Sequence, residues 1–474
     1  MTDPTELTDA DLIARVAAPE GEGRLILDAA TREPLGYAPQ QSIAELDAAI
    51  DRAVRAQPRW EARGARERSA SLVAAADAVD AHAEALARVL SREQGKPLNG
   101  PNARFEVGAC SVWLRTAAAT DLEPQVVVDD ESGHAELTYR AAGVVAAIGP
   151  WNWPLMIAIW QIAPALKMGN TVVVKPSGTT PLSVLALIDV INDVLPADVL
   201  IVAPVDGAGG AHLAAHPSIA KVMFTGSTET GRRIVAASAG NLARLTLELG
   251  GNDAGIVLAD ADPAAIANDL FWGAFINTGQ TCAALKRLYV HDDVYDRVVD
   301  ELARIAAATP MGNGLDEQNV LGPVQNRAQF DIVTALVDDA RARGARVVVG
   351  GEAAPELGEL FYRATIVADI ADGAPLVDEE QFGPVLPVIR FTDLDDAIAR
   401  ANRLDVGLGA SVWSSDRARA REVAARLEAG TVWINGHGGV HPMIPFGGVK
   451  SSGYGLEFGV EGLKAVAVPR VING

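Results

Sequence analysis

Glu248-Leu249-Gly250-Gly251 and Asn277-Thr278-Gly279-Gln280-Thr281-Cys282 each set a reactive side chain beside glycine, a carboxylate in the first and a thiol in the second. A cysteine thiolate adds readily to carbonyl carbon, and a nearby carboxylate can activate water against the thioester that follows. The pair therefore suggests acyl chemistry. Taken singly, each has a plainer reading: Cys282 as an inert buried thiol and Glu248 as a solvated charge at a strand end.

Four more stretches hold polar groups in constrained settings. In Gly149-Pro150-Trp151-Asn152-Trp153-Pro154 two prolines stiffen a loop whose Asn152 amide could donate to a developing oxyanion, or merely satisfy backbone in a packed aromatic turn. Phe224 to Gly231 ends a strand and opens a helix, a place that favours phosphate, though a Gly-Ser helix cap reads the same way. Lys175-Pro176-Ser177 ends the preceding strand, so a cation and a hydroxyl face the same crevice unless Lys175 is a surface lysine. Glu379-Glu380-Gln381-Phe382-Gly383-Pro384 puts a carboxylate beside an aromatic ring, suited to ribose hydroxyls and a ring face, or to a simple acidic turn. The seven histidines show no metal-type cluster, and His437 and His441, flanking Gly438-Gly439, read as a substrate mouth or as exposed loop residues.

These residues need elements to hold them. Ser42 to Leu90 is helical in pattern, opened by a Ser42/Glu45 capping box; a second run, Arg66 to Arg92, is closed by Gly95 and Pro97, and a third covers Gly100 to Ala119, with Cys110 as a small core residue. Gln125 to Val128 and Ala135 to Tyr139 read as a protruding hairpin, and Leu463 to Val471 as a further strand; an arm of such pieces has edges that want a partner chain. From Val144 onward strands alternate with helices, among them Val172 to Lys175 and a helix from Pro181 to Leu195 capped by Thr180. Alternation resumes after Glu248 through Gly255 to Leu258, Arg287 to His291, Ala410 to Trp413 and Thr431 to Asn435. Two α/β units with parallel sheets are expected, their ligand crevices at the carboxyl ends of the strands.

At 474 residues, the chain is long enough for two or three domains, and 49% hydrophobic with 21% charged residues is a globular composition. A net charge of -21 disfavours nucleic acid and anionic membranes as partners. Two cysteines, Cys110 and Cys282, exclude a disulfide framework and fit a cytoplasmic location. Met1 to Asp11 lacks a signal-peptide pattern and reads as a loose start. The uncharged run Ala141 to Leu166 is long enough to span a membrane, but Pro150, Pro154 and Pro164 argue for buried strand, loop and helix instead.

In this order and at these separations, Pro150-Trp151-Asn152, Lys175-Pro176-Ser177, Gly226-Ser227 to Gly231, Glu248 to Gly251 with Gln280 to Cys282, Glu380-Gln381-Phe382-Gly383-Pro384 and Pro445 to Gly453 resemble the motifs of the aldehyde dehydrogenase superfamily. The resemblance runs from about residue 25 to the C-terminus. It implies that Cys282 attacks an aldehyde, that Asn152 and the Cys282 N–H hold the oxyanion, and that hydride leaves to a nicotinamide. Glu248 would then serve as base for the hydrolytic water, releasing a carboxylic acid. Members that pass the acyl group to coenzyme A tend to lack this base, so water is the implied acceptor.

Cofactor contacts implied by the same resemblance are Ile148, Pro150, Trp151, Lys175, Ser177, Gly226, Ser227, Gly231, Leu249, Glu380 and Phe382, Lys175 being also placed with the catalytic set. NAD is the expected cofactor. NADP is possible because Gly178 stands where NAD-preferring members usually have a glutamate. A substrate pocket of Trp153, Trp160, Ile276, Thr281, Ala283 and His437 is implied, with no arginine beside Cys282, so an aliphatic or aromatic aldehyde is expected. The implied architecture is a Rossmann-like cofactor domain (1–122 and 140–248 with part of 438–460), an α/β catalytic domain (249–437), and a β arm (123–139 and 461–474) that builds a homodimer or homotetramer. A semialdehyde dehydrogenase, a catalytically idle nucleotide-binding member and a thioesterase-like acyl enzyme are the alternatives; the last lacks a histidine partner.

Overall fold

The computed structural model describes residues 7–474. Two largely parallel sheets dominate it, as the alternating pattern requires. In the first, the order is Gly453–Tyr454, Arg244–Glu248, Ile219–Thr225, Val144–Ile148, Thr171–Lys175 and Leu200–Val202, parallel throughout except for the short Gly453–Tyr454 edge. Chain order reverses between Val144–Ile148 and Ile219–Thr225, so the loops leaving these neighbouring strands diverge and a crevice opens between them.

The second sheet has seven strands ordered Arg346–Val349, Thr365–Ala368, Val385–Phe391, Leu285–His291, Asp253–Val257, Gly409–Trp413 and Thr431–Ile434. Only Arg346–Val349 runs antiparallel to its neighbour. Its central strands Asp253–Val257 and Leu285–His291 are covered on both faces and mostly apolar, with Asp253, Lys286 and Arg287 as buried charged exceptions near their starts. Glu248 ends a strand of the first sheet and Asp253 begins one of the second, so the Gly250-Gly251 link is where the chain passes from one to the other.

A third, antiparallel sheet joins Gln125–Asp130, Gly133–Ala141 and the C-terminal Ala467–Asn473. Val126, Val127, Val471 and Ile472 on it are exposed. The uncharged run Ala141 to Leu166 becomes a buried strand, the Pro150–Pro154 loop and helix Pro154–Lys167, every residue of which is buried. No helix among the described residues is long and apolar enough to cross a membrane.

Several expectations need correction. Residues 1–6 of the expected loose start lie outside the described residues, but Asp9–Val16 is a helix with a Thr8/Asp11 capping box. The long helical pattern breaks at Arg63 and His82 into Ile43–Ala62, Gly64–Ala81 and Ala83–Gln94. Leu463 ends in helix Gly459–Ala465, and the strand starts only at Ala467. Thr180 does not cap helix Pro181–Asn192: its hydroxyl is buried without a partner. Glu93 does so from a distant helix, accepting Leu182 N–H at 2.7 Å, Ser183 N–H at 2.9 Å and the Ser183 hydroxyl at 2.5 Å. A carboxylate offers more acceptor sites than a hydroxyl and so wins the helix N-terminus.

Candidate active site

At the carboxyl ends of Val144–Ile148 and Ile219–Thr225 lies a cavity of about 570 Å³. Ile148, Pro150, Trp151 and Asn152 enter it from one side of the chain reversal, and Thr225, Gly226 and Ser227 from the other. Lys175, Ser177 and Gly178 lie at one end; Leu249, Cys282, Glu380 and Phe382 also line it. Helix Thr228–Ala237 points its N-terminus at this space, with Ser227 as N-cap accepting Thr230 N–H at 3.3 Å. Backbone N–H groups and a helix dipole here suit a pyrophosphate. Gly226 is required at this turn by packing, since a Cβ there would press into the Phe224 ring. Gly231 is not on the cavity surface; it is buried where the Leu249 side chain packs against the helix.

The nucleophile stands on a strained loop. Asn277, Thr278 and Gly279 are consecutively left-handed, with φ of 50°, 57° and 75°, and the first two are not glycine. Such conformations cost on the order of 1 kcal/mol or more each and persist only when neighbours hold them. Gly322 N–H donates to the Thr278 hydroxyl at 2.9 Å, Gln325 N–H to Gln280 Oε1 at 2.9 Å, and Gln280 Nε2 to Asn277 O at 3.1 Å. Gly279 packs so tightly on the Gly383 carbonyl that any side chain would collide. The Asn-Thr-Gly-Gln residues thus build the bend that presents Cys282.

Lys286, one strand residue beyond the loop, completes it. Its Nζ donates to Thr281 O at 2.8 Å and Cys282 O at 2.5 Å, and pairs with Glu380 Oε1 at 3.0 Å. Glu380 also accepts Gly251 N–H at 3.3 Å. Burial pushes the Cys282 thiol up to about 12, with Lys286 as the opposing influence. Phe382, at φ 45°, lies edge-on to Trp151 with ring centroids 5.4 Å apart.

Asn152 is 3% exposed, and its backbone oxygen is pinned by Asn277 Nδ2 and Lys96 Nζ, each at 2.8 Å. Its side-chain amide makes no hydrogen bond among the described residues, so it is available to the cavity that also contains Cys282. Lys96 is itself fully buried, 2.5 Å from Glu106 and 3.5 Å from the centroid of Trp153. Glu106 in turn accepts Leu155 and Met156 N–H at 2.8 and 3.1 Å. One buried ion pair therefore anchors both the Asn152 carbonyl and the start of the helix behind it.

Glu248 is buried, and neither carboxylate oxygen has a hydrogen-bond partner. Burial first, then the neighbouring Glu457 carboxylate, raises its pKa well above the usual carboxylate range. Glu457 is raised by its own burial and opposed by Lys221, whose Nζ donates to Thr246 at 2.6 Å. An unpartnered buried carboxyl with an elevated pKa is a stronger base than an ordinary surface carboxylate, the character a general base needs.

Of the residues expected around the substrate, Trp153, Trp160 and Ala283 share one apolar cluster, against which Ile276 and Cys282 pack. Trp153 Nε1 donates to the Thr281 hydroxyl at 2.9 Å. Trp160 packs on Trp113 and Phe458, with centroids 5.7 Å apart for the first pair and 4.7 Å for the second. His437 takes a different place: its side chain is fully buried, with Nδ1 2.9 Å from Ser411 Oγ and Nε2 3.6 Å from Asp253. Loop glycines on either side bring it inward where exposure was one expectation.

Sequence reasoning missed Lys96, Glu106, Lys286 and Glu457, charged residues whose burial and partners are set by distant chain. It also missed a cluster of Asp47, His212 and His216, whose ligating atoms lie within 4.8 Å of one another. His212 Nε2 is 2.6 Å from Asp47, and His216 Nδ1 accepts Ser218 N–H at 3.2 Å. That contact keeps the proton of neutral His216 on Nε2, which lies 3.7 Å from Asp47 Oδ1, so of the two imidazoles only His212 is hydrogen-bonded to the carboxylate.

A doubly wound sheet with phosphate-type binding features at its chain reversal, in a cavity that reaches a thiol whose electrostatic neighbours include a buried, unpartnered carboxyl, defines a nucleotide-dependent enzyme of acyl chemistry. The model of the aldehyde dehydrogenase family matches residues 18–472, and the chain belongs to that family. Phenylacetaldehyde dehydrogenase of Pseudomonas fluorescens is 38% identical, over 94% of this chain and 91% of the relative. Among solved structures, an E. coli NADP-dependent enzyme is 35% identical with a TM-score of 0.93, covering 97% of this chain and 96% of that one. The NAD+ complex of Bacillus cereus aldehyde dehydrogenase is 34% identical with a TM-score of 0.92, covering 97% and 94%. The chemistry of this chain is accordingly oxidation of an aldehyde to its acid with a nicotinamide dinucleotide as hydride acceptor.

Proposed function

We propose that Cys282 is the nucleophile, Asn152 and the Cys282 N–H the oxyanion donors, and Glu248 the base of a hydrolytic aldehyde dehydrogenase. The observation that carries this is the meeting of Cys282 and Asn152 in one cavity, with the Glu248 carboxyl buried and unpartnered at the end of an adjoining strand.

In this reading the Cys282 thiolate adds to the aldehyde carbon, and the new alkoxide is held by the Asn152 amide and the Cys282 N–H. The dinucleotide, when bound, supplies the acceptor for the hydride that leaves this carbon. A thioester on Cys282 remains. Glu248 takes a proton from water as the water oxygen attacks the thioester carbon; the C–S bond breaks, the acid departs and the thiolate is restored. Gly226, Ser227 and the helix N-terminus would take the pyrophosphate, Lys175 and Ser177 the adenosine ribose, and Glu380 with Phe382 the nicotinamide end.

The domain limits proposed are those of a cofactor domain (1–122 and 140–248, with part of 438–460), a catalytic domain (249–437) and an arm (123–139 and 461–474). The arm's exposed valines support its use in a homodimer or homotetramer. An aliphatic or aromatic aldehyde is the proposed substrate, supported by the apolar cluster against Cys282 and by the phenylacetaldehyde dehydrogenase relative. Two unpaired cysteines support a reducing, cytoplasmic setting.

The test is reduced-nicotinamide absorbance with NAD+ or NADP+ and a panel of short, long and aromatic aldehydes. Turnover abolished by Cys282→Ala, with dinucleotide binding retained, is expected. Unchanged turnover in that variant would remove Cys282 from the reaction.

A further inference from the structure

Two helices that pack on the first sheet bring three metal-type side chains together outside the cavity. Leu46, Ala49 and Ile50 of helix Ile43–Ala62 share one apolar cluster with Leu213 and Ala214 of helix Gly207–Ala215, so core packing fixes the backbones that carry Asp47, His212 and His216. His212 lies in the last turn of the second helix and His216 is its C-cap, whereas Asp47 stands 165 positions before His212 in sequence. Asp47 Oδ1 is 2.6 Å from His212 Nε2 and 3.7 Å from His216 Nε2, and the three ligating atoms all lie within 4.8 Å of one another. None of the three residues lines the cavity.

One carboxylate oxygen needs only one of these imidazoles, and among the described residues no lysine or arginine pairs with Asp47. Two imidazole nitrogens and a carboxylate oxygen form instead a donor set for a borderline divalent ion such as zinc, which takes both ligand types at about 2.0 to 2.2 Å. Calcium and magnesium, which want oxygen alone, are poorly served. Tetrahedral ligands at that range stand roughly 3.3 Å apart. The present separations of 2.6 and 3.7 Å straddle that value, so small rotations of three partly exposed side chains reach it. Partial exposure also gives the ion an entry path and leaves room for water in the remaining coordination position. The carboxyl end of a helix, where His216 stands, adds a partial negative charge.

Binding has one local cost. A metal ion on His216 Nε2 requires the imidazole proton to move to Nδ1, which now accepts Ser218 N–H at 3.2 Å, so that hydrogen bond is lost. Ser218 is exposed and its N–H can turn to water, whereas three bonds to the ion are gained. We propose that Asp47, His212 and His216 bind one divalent transition-metal ion of the zinc type, which ties helix Ile43–Ala62 to helix Gly207–Ala215. The second helix also supplies Gly207, Gly210 and Ala211 to the cavity wall, so the ion braces an element of that wall without touching the cavity's contents.

The experiment is titration of the metal-free full chain with Co2+ and Zn2+, read by visible absorption and calorimetry. It is run on Cys282→Ala, which removes the competing thiolate, and on that chain with His212→Asn and His216→Asn together or with Asp47→Asn. One Co2+ per chain is expected in Cys282→Ala, with the ligand-field bands of a four- or five-coordinate ion and displacement by Zn2+. Affinity should fall roughly a hundredfold or more in the double histidine variant and roughly tenfold in Asp47→Asn. Saturating Zn2+ should raise the unfolding temperature of Cys282→Ala and leave that of the double histidine variant unmoved. X-ray absorption at the zinc edge, which needs no change at the three positions, should show nitrogen and oxygen neighbours with the scattering of two imidazoles. Absence of binding at millimolar metal, an affinity unmoved in the double histidine variant, or a zinc shell without two imidazoles would overturn the proposal. Neither result bears on the reading of the cavity, because no dinucleotide is present.

Discussion

Lys286 Nζ lies 3.0 Å from Glu380 Oε1 while donating to the Cys282 carbonyl, so one buried cation ties the nucleophile loop to the carboxylate proposed for the nicotinamide end of the cofactor. The charge that opposes burial of a thiolate also anchors the cofactor end of the site.

Lys286→Met removes that charge, and the pH midpoint for alkylation of Cys282 by iodoacetamide is expected to move upward. Alkylation at neutral pH should slow by roughly tenfold, because the thiolate fraction sets the rate. Lys286→Arg should recover part of the loss if a positive charge at this position is what matters.

Glu248→Gln should leave a rapid burst of reduced nicotinamide followed by turnover slowed about 10²- to 10⁴-fold, seen in stopped-flow absorbance. Burial and the neighbouring Glu457 raise the Glu248 pKa, so natural turnover should climb as pH rises through the range in which Glu248 gives up its proton. The variant should lack this limb.

Lys96→Met leaves Glu106 buried without its partner and releases the Asn152 carbonyl. A stability loss of about 3–5 kcal/mol in denaturant unfolding is expected. Pairing it with Glu106→Leu should restore most of the stability, since no unpaired charge remains. The double variant should still have a depressed kcat, which separates positioning of Asn152 from simple folding.

Glu93→Ala removes the cap of helix Pro181–Asn192 and should cost about 2 kcal/mol. Burial raises Glu93 from 4.5 to about 7, although the three hydrogen bonds it accepts pull the other way. The folded chain then keeps a proton that the unfolded chain releases, so this group's contribution falls as pH rises from about 4.5 to 7. Unfolding measured across that range should show the slope in the natural protein and its loss in Glu93→Gln.

Val127→Lys together with Val471→Lys should lower the assembly state measured by light scattering, since both valines lie exposed on the three-stranded arm. An unchanged molar mass would place the interface elsewhere.

Much of this was legible before any coordinates. The switch from helical to alternating patterning located both parallel sheets, because strands covered on both faces are built mostly from apolar residues. Cys282, Glu248, Asn152, Lys175 and Glu380 stood out because reactive groups beside glycine or proline are uncommon enough in type and spacing to be noticed. Local pattern could not supply the contacts that span the chain. Glu93 displaces Thr180 as a helix cap from 87 positions away in sequence, and Lys96 and Glu106 brace Asn152 only after the helices have packed. His437 turns inward to Ser411 because strand Gly409–Trp413 lies beside the strand that leads to it. Arg24 and Gly178 are 154 positions apart, so their hydrogen bond arises only when the N-terminal hairpin folds against the sheet. Burial, and with it the direction of every shifted pKa in the site, is a property of three-dimensional neighbours, and no residue carries it alone.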